Sequence, residues 1–105
     1  MNAQRIRGML GLALRARQAA SGMDACRIMA RSGKCGVLLL DGSAGPNTRK
    51  KAEDLCRRTG TPMRVIPAGL IGEATGKECM VAGLLKGGFA DQVLADTAET
   101  GRNDP

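Results

Sequence analysis

Three short, mainly apolar runs constrain this chain most: residues 36–40 (GVLLL), 63–66 (MRVI) and 80–85 (MVAGLL). A strand with one wet face alternates apolar and polar residues, whereas a near-continuous apolar run belongs to a strand covered on both faces. The stretches between these runs have helical periodicity. Strands alternating with helices and covered on both sides predict an α/β fold, a three-layer α/β/α sandwich. With 105 residues the chain makes one domain, expected over residues 1–99, and residues 100–105 form a disordered tail.

The helices follow from spacing and punctuation. Over residues 2–18, Ile6, Met9, Leu10, Ala13 and Leu14 recur at i, i+3, i+4, i+7 and i+8 and form one apolar stripe. Gly8 and Gly11 either weaken that helix, by about 1 kcal/mol each relative to Ala, or mark close packing. Ala19–Ala20 is a very short strand. Ser21 and Asp24 read as a capping-box-like opening to a helix over 22–32, which buries Met23, Cys26, Met29 and Ala30 and stops at Gly33. After a loop over 41–46, Asn47 or Thr48 caps a helix that runs to Thr59, with Ala52, Leu55 and Cys56 inward. The run 63–66 is expected as a second central strand. A short helix over 70–75 stops at Gly76, and a last one over 89–99 turns Phe89, Val93 and Leu94 inward.

Charge narrows the function. Sixteen Lys+Arg against ten Asp+Glu give +6 and a pI near 9.7. The excess is concentrated in residues 1–34, where Arg5, Arg7, Arg15, Arg17, Arg27, Arg31 and Lys34 face one acid, Asp24; residues 91–105 are mainly acidic. This balance points to a polyanion partner on one side of the molecule. The start of helix 22–32 offers unpaired N–H groups and a positive dipole end, and Arg27, Arg31 and Lys34 follow it. Arg49, Lys50 and Lys51 put positive charge in a first helical turn, against the macrodipole, as a second phosphate contact or a solvated face.

Several classes drop out. There is no His, and Cys26, Cys35, Cys56 and Cys79 form no CxxC pair, so neither the usual general base nor a zinc site is available. Neither a Walker A loop nor a GxGxxG fingerprint occurs among 15 glycines. The chain is therefore expected not to be an enzyme and to need no metal or cofactor. Phe89 is the one aromatic residue, which excludes the stacking sheets of RNA-recognition motifs and OB folds. No apolar run approaches the roughly 18 residues of a membrane span, and lone thiols suit a reducing compartment, so a cytoplasmic protein without membrane contact is expected.

The order LGLALRARQAASG, RSGKCGVLLLDGSAGPNTRKKAEDLC, GTPMRVI and LIGEATGKECMVAGLLKGGFADQVL resembles the small bacterial YlxQ-type proteins. These are members of the kink-turn-binding ribosomal-protein family of large-subunit protein seven-Ae, L-thirty-e and Gadd-like domains. The resemblance covers about residues 7–94, and PNTRKK before LC and LIGEATGKE are its most specific segments. It implies a mixed, mainly four-stranded sheet and binding to bent RNA. The start of the second helix would enter the RNA groove through Gly22, Met23, Asp24, Ala25 and Ile28. The loop before the last strand would supply a second contact through Gly76, Lys77, Glu78, Cys79 and Met80. Related domains also form the C-terminal part of longer YlxR-type proteins, so the chain is either complete or such a part.

One departure stands out. The family pattern Gly-x-Asn-Glu-x-x-Lys is here Gly22-Met23-Asp24-Ala25-Cys26-Arg27-Ile28. Asp24 keeps acceptors for a guanine N–H, whereas Ala25 accepts nothing and Ile28 carries no charge. By analogy with base contacts in DNA, two lost contacts cost on the order of two to four decades of specificity. The phosphate contribution persists through Arg27, Arg31, Lys34 and Arg5 or Arg15. The expected protein is thus a monomeric, non-catalytic binder of structured RNA such as rRNA, led by shape and charge, in the translation or transcription apparatus. Two alternatives are a protein-interaction module that meets ribosomal or transcription proteins through Met23 and Ile28, and a thiol enzyme using Cys79 or Cys26.

Overall fold

The computed structural model of the chain describes residues 2–97. Its elements run α1 (Ala3–Arg15), β1 (Ala19–Ser21), α2 (Met23–Arg31), β2 (Cys35–Asp41), α3 (Pro46–Thr59), β3 (Met63–Ile66), α4 (Leu70–Thr75), β4 (Val81–Leu85) and α5 (Gly88–Asp96). The four strands form one mixed sheet in the order β1-β4-β2-β3, with β2 and β3 parallel and the other two pairings antiparallel. Alternate residues of the apolar runs therefore serve two cores. Val37, Leu39, Ala82 and Leu84 meet Ile6, Leu10, Ile71 and Val93 on the α1/α4/α5 side. Leu38, Leu40 and Val81 meet Cys26, Ala52 and Cys56 on the α2/α3 side. The α/β/α sandwich is as expected, and β1 forms where the two alanines suggested it.

The differences are local. Residues 63–66 make an edge strand, not a central one, because β4 inserts between β1 and β2; of the four only Ile66 is fully buried. Ser21 does not cap α2: it is paired with Ala82 in the sheet, and Gly22, at φ 93°, is the N-cap without a side-chain acceptor. Nor does α3 start on an Asn47 or Thr48 cap. Gly45 holds that position and Pro46 opens the helix, its fixed φ already suited to a first turn. Helix α1 stops at Arg15, three residues early, because Arg17 is left-handed at φ 60° and Gln18 N–H donates to Ala13 O at 2.7 Å. Strand β4 begins at Val81, one residue late, and α5 ends at Asp96. The rest of the last expected helix and the tail over 100–105 lie outside the described residues. A Cβ at Gly8 or Gly11 would meet nothing within 4 Å, so neither glycine marks a close approach. No helix among the described residues is long and apolar enough to cross a membrane.

Candidate nucleic-acid interface

The two segments singled out in the sequence become neighbours through the sheet. Strand β1 lies antiparallel to β4, so the chain leaving Ser21 reaches Gly22 beside the start of β4, and Gly22 N–H donates to Val81 O at 2.9 Å. The start of α2 and the 76–80 loop therefore border one surface. With Gly22 as N-cap, no side chain accepts from the first turn of α2, and its N–H groups face outward at the positive end of the dipole. Asp24 is fully outside, its side chain 98% exposed, and its Oδ1 lies 3.1 Å from Arg27 Nη1. An exposed pair of this kind is worth about 0–1 kcal/mol, so either partner can be drawn to another ligand at little cost. Ile28 is 71% exposed, whereas Met23 packs half-buried against the α2/α3 core.

The loop is shaped by residues the sequence reading passed over. Thr75 Oγ1 donates to Ile71 O at 2.8 Å, accepts Lys77 N–H at 3.2 Å and lies 3.6 Å from Cys79 Sγ. Gly76 caps α4 in the left-handed region at φ 72°, and an added Cβ at Gly72 would sit 3.3 Å from Lys77 O, so the loop folds directly over its own helix. Beneath it lies Asp41, whose Oδ1 accepts Ser43 N–H and Oγ–H at 2.7 and 2.6 Å and whose Oδ2 accepts Gly69 N–H at 2.9 Å. Burial pushes the Asp41 carboxyl up, but these donors outweigh it and hold its pKa below the usual value. Asp41 N–H donates to Met80 O at 2.8 Å, which joins that anchor to the 76–80 loop. Asp41, Gly69, Lys77 and Met80 border a hollow of about 550 Å³.

Charge is distributed by face rather than by half of the chain. Arg5 meets Asp96 at 3.0 Å and Arg7 meets Glu73 at 3.0 Å, so the arginines at the start of α1 are neutralised against α5 and α4. Arg5 reaches a phosphate only by giving up its pair with Asp96, a cost of about 0–1 kcal/mol. Arg15 lines a shallow hollow of about 280 Å³ with Ser21, Thr75 and Lys77, directly beside the start of α2. Lys77 and Glu78 are exposed, while Cys79 and Met80 are half-buried. Arg31 and Lys34 are exposed but lie toward the far end of α2, eight and eleven residues beyond Met23, so they border the surface only along the helix. Of the two arginines of α1 that the sequence offered as phosphate contacts, Arg15 is therefore the one beside the start of α2.

Burial keeps the three interior thiols protonated. Burial, and after it the neighbouring thiols, push Cys26 up to about 12 and Cys56 up to about 11; burial raises Cys35 as well. A thiol so far above neutral pH stays protonated and is a poor nucleophile. No cluster of three potential metal ligands occurs among the described residues.

No protein-family model matches the chain. It is similar to the RNA-binding protein YlxQ of Bacillus subtilis (strain 168), 33% identical over 89 residues, which span 83% of this chain and 89% of that protein. Its structure is similar to that of a protein of unknown function from Bacillus halodurans C, with a TM-score of 0.78 and 33% identity over 86% of this chain and 93% of the other. The 15.5 kD RNA-binding protein of Giardia lamblia, at 15% identity and a TM-score of 0.69 over 90% and 82% of the two chains, shares the fold.

Proposed function

The chain belongs to the family of the RNA-binding protein YlxQ, and from that membership we propose that it is a non-catalytic binder of structured, kink-turn-like RNA such as rRNA. The observation that carries the reading is the hydrogen bond from Gly22 to Val81, which makes one surface of the start of α2 and the 76–80 loop. On this reading Gly22, Met23, Asp24 and Ile28 enter the RNA groove, and Gly76, Lys77, Glu78, Cys79 and Met80 meet its other side. Arg15, Arg27 and Arg31 hold phosphates, and Lys34 touches only an RNA that follows α2 to its end. Backbone donors and cations dominate the polar groups at the start of α2, and the carboxylates of Asp24 and Glu78 are the side chains suited to a guanine edge. Recognition is therefore led by shape and charge, and affinity falls steeply with salt.

The test measures binding to a kink-turn RNA and to a straight duplex of the same length at two salt concentrations. A preference for the bent RNA, abolished by Arg15→Glu with Lys77→Glu, is expected. Failure of the wild-type protein to bind either RNA at low salt would sink the proposal.

Ile28 favours a second reading. An aliphatic side chain 71% exposed beside Met23 suits a protein partner in the translation or transcription machinery. Ile28→Ser, which adds no charge, separates the two: it leaves RNA affinity within about threefold if Ile28 serves a protein partner, and lowers it tenfold or more if Ile28 packs against the RNA.

A further inference from the structure

A second electropositive feature lies on the other side of α2. Arg27 and Arg31 from α2 and Lys51 and Arg58 from α3 line an open trough of about 660 Å³, whose floor is closed by the buried Ala30 and Leu55. Its one acid, Asp54, is occupied by Arg57, which stands one turn further along α3. Arg27 is held by Asp24. Arg31, Lys51 and Arg58 have no acidic partner within 4 Å among the described residues. Folding thus brings like charges together across the trough from two helices, which costs free energy that a bound polyanion offsets.

The shape selects the kind of polyanion. A small anion needs converging donors in an enclosed site, and this trough is open and elongated. Lys51 and Arg58 are seven residues apart, about 10 Å along α3. A single strand would need aromatic platforms for its bases, and Phe89, the chain's sole aromatic side chain, packs on the opposite side of the sheet. A duplex needs none, because it presents phosphates outward. Arg27 is shared: it lines the trough and sits one turn from the start of α2.

We propose that the α2/α3 trough carries the phosphate backbone of a duplex stem that leaves the start of α2, with Lys51 and Arg58 as the wall opposite Arg27 and Arg31. This rests on the RNA-binding reading of the corner formed by Gly22 and the 76–80 loop, and extends its footprint to a helix outside that corner.

The experiment uses two RNAs with the same bent core, one with a flanking stem of about twelve base pairs and one with that stem cut to about three. Wild-type protein and the Lys51→Gln/Arg58→Gln variant are titrated with each at several salt concentrations. Both side chains are exposed, and a thermal melt checks that the variant folds as the wild type does. For the long-stem RNA, the slope of log K against log salt should fall by about 2 in the variant, near 0.9 for each lost phosphate contact. For the short-stem RNA it should not change. An unchanged slope on the long stem, or an equal loss on both RNAs, overturns the trough. Wild-type protein that binds neither RNA overturns the corner reading itself, a result distinct from either.

Discussion

Asp41 ends the most buried strand with a carboxylate that is 1% exposed, and that carboxylate joins three segments. It holds Ser43 in the loop after β2, and through Gly69 it fixes the turn into α4, from which the 76–80 loop departs. Its pKa lies below the ordinary carboxylate value, so the folded protein binds that proton more weakly than the unfolded chain does. The stability Asp41 contributes is therefore fully present above about pH 4, the unfolded value, and is lost as pH falls through the lower folded value. Asp41→Asn should lower stability at pH 7 by about 1–3 kcal/mol, since Gly69 N–H and Ser43 lose a charged acceptor in a closed site. A urea series over pH 2.5 to 7 checks both parts: the variant should start lower and lose less on acidification. A variant with the wild type's acid slope would show that Asp41 is not the group responsible.

At the scale of elements, glycines separate what spacing reveals from what it cannot. Gly36 sits at the register shift of β2 against β4, where an added Cβ would stand 2.7 Å from Ala90 Cβ in α5 and 3.0 Å from Lys86 Cα. Gly8 lies in α1 with open space around it. Gly36→Ala should cost about 1–3 kcal/mol through forced backbone displacement, and Gly8→Ala should gain about 0.5–1 kcal/mol. Thermal melts of the two variants should move in opposite directions, and a neutral Gly36→Ala would mean that α5 is not seated on β2. The two glycines look alike in sequence because the difference lies in a partner more than fifty residues away. The same distinction holds along the chain. Apolar runs placed three strands and helical stripes placed four helices with their inward residues, since burial leaves a one-dimensional trace. Strand order leaves none: β4 enters between β1 and β2 through pairings remote in sequence, which put residues 63–66 on an edge and drew Ser21 from a cap into the sheet. At the candidate site, spacing pointed to the start of α2, and only the family resemblance pointed to residues 76–80. Asp41 and Thr75 escaped notice because an anchoring loop residue looks like any other polar residue until its donors and acceptors are in place.

For the molecule as a whole, the two sides of the sheet differ in substance. The α1/α4/α5 core is the larger, with Ile6, Leu10, Ile66, Leu70, Ile71 and Val93 beside a few alanines, while on the α2/α3 side the helices bury Cys26, Ala30, Ala52, Leu55 and Cys56 against Leu38, Leu40 and Val81. Small side chains bury less apolar area, at about 25 cal/mol per Å², so the layer carrying the unpaired cations is expected to be the more weakly attached one. It should open as a unit at a free energy about 1–3 kcal/mol below global unfolding. All three buried thiols report on it, because Cys26, Cys35 and Cys56 all lie on that side. With Cys26 near 12, roughly one thiol in ten thousand is ionised at pH 8, so alkylation in the closed state is negligible. Labelling resolved by mass spectrometry should show Cys79 reacting first, from its half-exposed place in the loop, and the three others following together at the rate of layer opening. RNA seated on this face should slow that second phase by the factor 1 + [RNA]/Kd, because only the closed layer binds it. If the three thiols react with the free energy of global unfolding, the α2/α3 layer is as firmly held as the rest; if RNA leaves their rate unchanged, it is not bound on this side of the sheet.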